Sequence, residues 1–315
     1  MMTDNYDSKI LVSGAGSFIG KQLIRHLLSS ANNKIVACQR PRSSKLLHGP
    51  ALVYETADLL DFARQDALFK KHQPDYVFHL AAITRLGPAE ENPILAVRTN
   101  YFGTKMLADL CIKHSVKSFM AVSSNLAREA ESVVGLTKYL SEIYLRNQTG
   151  GKCKMVSFRM PNVPGSPGSV TELFKKQLIS GGPITITDAR MERRFIERDK
   201  AAELLSNCMT YSKPGDVFIM ANENTNIADL AAEMIKKSGK DIKIRLIGAK
   251  AGEKLIEQKY EGDEIIKTGI PGLAVLKNDW QQDKVENALK KLKNKSENHH
   301  YDLLMKKLEL SLQME

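Results

Sequence analysis

The chain has 315 residues, with 46 Lys and Arg against 36 Asp and Glu for a net charge of +10, 43% hydrophobic residues, 20 Gly and 11 Pro. This composition excludes fibrous, low-complexity and disordered classes, and the length allows two lobes or one large α/β domain with an appendage. The four cysteines (Cys38, Cys111, Cys153, Cys208) form no C-x-x-C pair and lack a suitably spaced histidine, so no metal site is expected and the thiols read as reduced in a cytoplasmic protein.

The start, MMTDNYDSK, has no basic segment followed by an apolar run, and no stretch of 18 apolar residues occurs, so neither secretion nor a membrane span is expected. Short apolar runs then alternate with longer amphipathic segments: KILVSG, the helix KQLIRHLLSS, then KIVAC, LVYE, DYVFHL, FMAVSS and KMVSFRM. Strands apolar on both faces belong in a parallel sheet covered by helices on each side, so the fold class is α/β, a Rossmann-type doubly wound parallel sheet. After Arg159 the Pro and Gly cluster MPNVPGSPGS marks a transition and the floor of a cleft. A smaller C-terminal lobe follows, with a helix over 171–180, the strand PITIT and a helix over 200–211. Next come a strand over 216–221 returning to the main sheet, a helix over 227–237 and the strand IKIRLI. The last 40 residues read as lysine-rich helix with unassigned packing.

Part of the positive charge lies in LKKLKNK and MKKLEL, which read as the solvated face of those terminal helices. With 6% aromatic residues, no aromatic-rich binding strand and no zinc spacing, no nucleic-acid partner is expected. Anionic small molecules explain the charge equally well.

The first strand runs through Gly14, Ala15, Gly16, Ser17, Phe18, Ile19 and Gly20 straight into an amphipathic helix. Glycines allow a tight turn and close backbone approach to a pyrophosphate, and the helix N-terminus offers unpaired N–H groups. The spacing is of the short-chain dehydrogenase kind, with Ser17 where a glycine is usual. The second strand ends Cys38-Gln39-Arg40-Pro41-Arg42, with no carboxylate for a ribose 2′-hydroxyl and two arginines able to hold a 2′-phosphate. This favours NADP over NAD. Residues 1–163 are thus expected to form the NADP-binding domain, and 164–315 mainly the substrate-binding lobe with the lysine-rich helices.

Taken in order, PDYVFHLAA, EENP with TNYFGT, VGLTK, FRMPNVPGSPGSV, GGPITIT with MERRF, and AGEKLIE resemble the polysaccharide-biosynthesis nucleotide-sugar 4,6-dehydratases. These form a branch of the extended short-chain dehydrogenases, the NAD-dependent epimerase/dehydratase superfamily, typified by UDP-N-acetylglucosamine 4,6-dehydratases. The resemblance covers roughly residues 8–260, without the N-terminal membrane region of many members. It implies that Asp58 lies near the adenine, that Ala81 and Ala82 line the cofactor, and that Asn100 stands beside the active site. Lys138 would bond the nicotinamide ribose. Asn162, Ser169 and Val170 would face the nucleotide sugar, Arg193 its diphosphate and Glu253 the nucleoside ribose. The substrate implied is a nucleotide sugar, a UDP-hexosamine, and the oligomeric state, monomer or homo-oligomer, stays open. The residues themselves agree for two of these: the basic RMERR run around Arg193 suits a diphosphate, and Glu253 on a Gly-containing loop can accept ribose hydroxyls.

The chemistry departs from the pattern. The family's Thr-Asp-Lys run after the fifth strand is here Ser124, Asn125 and Leu126, and the Tyr or Met four residues before the lysine is Val134. Asparagine exchanges no proton near neutral pH, and leucine and valine have none to give. Lys138, Ser123, Ser124 and Asn125 are the catalytic positions that remain, the two serines as ligands of substrate hydroxyls. Tyr101 with Lys105 matches Y-x-x-x-K by spacing alone, Tyr139 points about 100° away from Lys138 on its helix, and His79 sits in an apolar strand; all three read as packing residues. Two readings follow: a nucleotide-sugar enzyme with a non-standard site, or a noncatalytic sensor or partner subunit that binds NADP or a UDP-sugar.

Overall fold

The computed structural model describes residues 8–29, 32–41, 47–128, 130–148, 150–248, 255–257, 260, 264–277, 282–296 and 299–312. Alternation along the apolar runs sets the central sheet. In β1 (Lys9–Ser13), Ile10 and Val12 enter one apolar layer and Leu11 the other. In β2 (Lys34–Gln39), Ile35 and Ala37 likewise oppose Val36 and Cys38. A strand buried on both faces needs helices on both faces, which is the parallel-sheet arrangement expected from the sequence.

The remaining strands are β3 (Leu52–Thr56), β4 (Tyr76–His79), β5 (Ser118–Ser124), β6 (Lys154–Met160), β7 (Ile184–Ile186), β8 (Glu192–Arg193), β9 (Val217–Met220), β10 (Thr225–Asn226), β11 (Ile244–Leu246), β12 (Ile265–Lys267) and β13 (Leu273–Leu276). Their order in the main sheet is β12-β13-β9-β6-β5-β4-β1-β2-β3, parallel from β3 through β9. The returning strand is therefore β9, beside β6. Two antiparallel strands extend the sheet beyond it, β13 on β9 and β12 on β13; the sequence reading had not marked them.

The helices are α1 (Phe18–Leu28), α2 (Phe62–His72), α3 (Leu86–Glu91), α4 (Pro93–Ala96), α5 (Gly103–Lys113), α6 (Val133–Asn147), α7 (Val170–Ile179), α8 (Arg198–Tyr211), α9 (Ile227–Ser238), α10 (Gln282–Lys293) and α11 (His299–Leu312). Helices α1 and α8 cover one face, with Leu23, Ile24, Leu27, Ala201, Leu204 and Leu205 buried, while α5 and α6 cover the other. A smaller core of Phe174, Leu178, Ile184, Ile186, Ile227 and Ala231 joins α7, β7 and α9 in the second lobe.

The terminal helices pack on the α6 side of the sheet. Val285, Ala288 and Leu292 recur at helical spacing and enter that layer with Tyr301, Met305 and Leu308. Lys290, Lys293, Lys306 and Lys307 face solvent, as their pattern indicated, while Lys291 and Lys295 reach Glu131 and Glu90. All four cysteines are buried free thiols. Among the described residues no helix is long and apolar enough to cross a membrane.

Candidate active site at the carboxyl ends of the strands

The glycine turn is shaped by close backbone approach. Gly14 adopts φ +72°, and a Cβ there would stand 2.5 Å from the Ala81 nitrogen; one on Gly20 would meet the Gly14 carbonyl at 2.4 Å. Ser17 caps α1, its hydroxyl accepting the Gly20 N–H at 3.0 Å, a bond glycine could not supply. With that donor satisfied, Phe18 and Ile19 present the first-turn N–H groups, which have no intrahelical acceptor, beside Gly16. A cradle closed to side chains at a helix N-terminus fits a dinucleotide pyrophosphate.

Arg40 is exposed directly after β2, whose Cys38 carbonyl accepts the Ala15 N–H at 3.1 Å, so the arginine leaves the sheet beside the turn. Arg42 and Glu253 lie outside the described residues. Asp58 is exposed two residues after β3, and its carboxylate takes the Leu60 N–H at 2.8 Å.

Ala81 and Ala82 follow β4 and are half-buried. Asn100 belongs to a π-helical segment, Val97–Phe102, and is wholly buried. Its carboxamide accepts the Ile83 N–H at 2.8 Å, donates to the Ile83 carbonyl at 3.0 Å and donates to Thr137 Oγ1 at 3.1 Å. It thereby locks the loop after β4 to α6, the helix that carries the next residue, Lys138. Lys138 Nζ donates to the Val122 carbonyl of β5 at 2.7 Å. Burial pulls this ammonium down to about 8, against the opposing influence of Glu142. One of its three protons is used on Val122, leaving two to donate.

The turn after β5 packs closely on α6, because a Cβ on Gly135 would stand 2.4 Å from the Leu126 carbonyl. Val134 is buried in the core at that contact. Ser124 holds the turn together, its hydroxyl accepting the Leu126 N–H at 3.2 Å. Ser123 is buried and donates to Glu142, which is paired through two nitrogens of Arg159 at 3.0 and 2.7 Å; Arg159 in turn donates to the Tyr260 hydroxyl at 3.2 Å. The Ser123 hydroxyl is thus committed to an internal ion pair.

One side chain gathers several of the expected positions: Glu257, which sequence reasoning had passed over. Its Oε2 accepts from Asn125 Nδ2 at 3.0 Å and the Arg194 N–H at 3.3 Å, and its Oε1 from Asn162 Nδ2 at 3.0 Å, with Arg193 Nε 3.9 Å away. Arg193 also donates to the carbonyls of Glu192 (2.8 Å) and Leu255 (3.2 Å), fixing the segment that carries Glu257. Asn224 closes the other side, donating to the Glu257 carbonyl at 2.8 Å. The guanidinium carbons of Arg128 and Arg194 lie 4.2 and 5.5 Å from the Tyr260 ring centre, and Arg128 also pairs with Glu264 at 3.0 Å.

Farther along the cleft, Ser169 caps α7, which begins at Val170, by accepting the Glu172 N–H at 3.4 Å. Arg85, which the sequence reading had missed, lies over Gly168. His79 bonds Ser13 at 2.6 Å and Thr104 at 3.1 Å, and burial pushes it down to about 3, so it is a neutral packing residue as expected. Tyr101 is fully buried on Ser311 at 2.6 Å, and Lys105 pairs with Asp109, so the Y-x-x-x-K spacing is a packing feature. Among the described residues no group of His, Cys, Asp and Glu could hold a metal ion.

The family model described as polysaccharide biosynthesis protein matches residues 10–276. The capsular polysaccharide biosynthesis protein CapD of Staphylococcus aureus is 33% identical over 272 residues, covering 81% of this chain and 45% of that protein. The chain thus spans about half the length of such relatives. A UDP-N-acetylglucosamine 4,6-dehydratase (inverting) of Campylobacter jejuni is 30% identical over 271 residues, 82% of this chain and 79% of that one. Among solved structures, Pen from Bacillus thuringiensis superposes with a TM-score of 0.80 at 29% identity, covering 86% of this chain and 88% of its own. The UDP-glucose 4-epimerase of Thermus thermophilus in complex with NAD shares the fold, with a TM-score of 0.71 at 19% identity over 78% of this chain and 88% of its own.

Proposed function

The chain belongs to the polysaccharide biosynthesis protein family, and we propose that it is a cytoplasmic NADP-dependent enzyme acting on a UDP-hexosamine with a non-standard active site. The observation that carries this reading is the row of groups along one crest of the sheet. In sheet order these are the Gly14 cradle after β1, Ala81 and Ala82 after β4, Asn125 after β5 with Lys138 of α6 held on Val122 of that strand, and Asn162 after β6 with Glu257 bonded to it. Ligands of open α/β sheets bind at this edge.

A bound nicotinamide supplies hydride acceptance from a sugar carbon and its return. The chain does the rest. The α1 N-terminus holds the pyrophosphate, Arg40 and Arg42 select the 2′-phosphate, and Lys138, fixed on Val122, turns its two other protons to the nicotinamide ribose. Arg193 and Arg194 supply the positive field for the substrate diphosphate, with Ser169 and Val170 along the sugar nucleotide and Glu253 at its ribose.

Val134 and Leu126, apolar where the resemblance implies proton-exchanging groups, favour the second reading, a noncatalytic NADP- or UDP-sugar-binding subunit. Calorimetry with NADP(H), NAD(H) and UDP-sugars, followed by mass spectrometry of the sugar products, separates the two. The enzyme reading expects binding and a changed sugar mass or stereochemistry. Binding with every sugar recovered unchanged supports the subunit, and no binding of either ligand class removes both.

A further inference from the structure

We infer that Glu257 is the proton-exchanging carboxylate of the sugar site, standing in for the acid that Asn125 has replaced; this rests on the enzyme reading above. Asn125 has the shape of an aspartate but no exchangeable proton near neutrality. Its Nδ2 points at Glu257 Oε2 from 3.0 Å, so a carboxylate lies one hydrogen bond from the place where an aspartate oxygen would be. The chemistry is displaced by one contact, from the strand end to the segment that crosses it.

The site is built to hold that charge. Glu257 is 12% exposed, and side-chain amides of Asn125 and Asn162, with the Arg194 N–H, donate to it from three elements. Three bonds on about four acceptor positions leave one open for a substrate proton. The other end of the Asn125 carboxamide, Oδ1, is buried and has no partner among the described residues, an acceptor suited to a sugar hydroxyl. An aspartate at 125 would instead face Glu257 as a like charge at the same distance, whereas the amide donates to it.

The step is a proton transfer. With C4 of the hexose as a ketone, the C5–H bond breaks, its proton passes to the Glu257 carboxylate, and its electron pair forms the C4–C5 enolate. In elimination the pair instead forms C5=C6 as the C6–O bond breaks, and the proton returns to the departing hydroxide as water. Neither version needs a further oxidant once the ketone is present.

This allows a test independent of hydride transfer. A UDP-4-keto-6-deoxyhexosamine is incubated with the full chain in deuterium oxide, and deuterium at C5 is followed by mass spectrometry and NMR, alongside calorimetric affinity for the same ketone. Wild type should exchange C5 well above buffer. Glu257→Gln should lose about 100-fold or more with affinity held within about threefold, and Asn125→Asp with Glu257→Gln, which returns the carboxylate to 125, should recover much of the loss. If Glu257→Gln fails to fold, Glu257→Asp, which keeps the charge but withdraws it by one methylene, should lose about 10-fold or more. Exchange unaffected by these variants, or no exchange by wild type that binds the ketone, overturns Glu257's role and leaves the enzyme reading standing. Failure to bind any UDP-sugar overturns both.

Discussion

The Asn100 carboxamide closes a ring on the main chain of Ile83, accepting its N–H at 2.8 Å and donating to its carbonyl at 3.0 Å, while also bonding Thr137. The residue before Lys138 is thereby tied to the loop after β4. Asn100→Ala leaves these polar groups without a partner, and stability should fall by about 2–4 kcal/mol. Denaturant unfolding measures it, and a loss under about 0.5 kcal/mol would show that the loop does not depend on the ring.

The second prediction separates a structural from a substrate-contacting Ser123. Its hydroxyl serves Glu142, so Ser123→Ala should cost about 1–2 kcal/mol of stability and leave UDP-sugar affinity unchanged. Weakened sugar binding at unchanged stability would instead put this hydroxyl on the ligand.

Lys138 gives a pH signature. Burial lowers its folded value from 10.5 to about 8, so between those values the unfolded chain holds a proton that the folded one has released. Stability from this residue therefore rises with pH across that window, and the cost of the buried ammonium is fully present below about 8. Lys138→Met should be about 1–3 kcal/mol more stable than wild type at neutral pH, with the advantage shrinking as pH rises toward 10.5. A difference that does not change with pH would mean the ammonium is solvated.

Cofactor choice rests on Arg40 and Arg42. Calorimetry should find NADP(H) bound more tightly than NAD(H), and Arg40→Ala with Arg42→Ala should erase about 10-fold or more of the preference. Equal affinities in wild type would remove the argument.

The parallel sheet was legible because runs such as KILV and KIVAC are buried on both faces, and the glycine turn because Gly14 and Gly20 sit where side chains would collide with backbone. Strands β12 and β13 were not legible: they are three and four residues long, and what makes them strands is the edge of β9. The terminal helices displayed their apolar stripe, Val285, Ala288 and Leu292, but not the surface it covers. Glu257 was hidden for a related reason. It meets Asn125 across 132 residues, and its own segment, LIEQ, has no local pattern that marks a carboxylate brought to a strand end. Asn100 could be placed near the site by resemblance, whereas its hold on Ile83 depends on a π-helical turn that periodicity did not reveal.

The most direct test of the enzyme reading is a single-turnover experiment with the oxidised cofactor bound to the full chain, in which UDP-N-acetylglucosamine is added and reduced-nicotinamide absorbance is followed. The account predicts a transient or lasting rise that requires the sugar nucleotide and is lost in Lys138→Met. UDP-N-acetylglucosamine that binds by calorimetry without any reduction of the cofactor, across UDP-hexoses tested in the same way, would contradict it and leave a binding subunit.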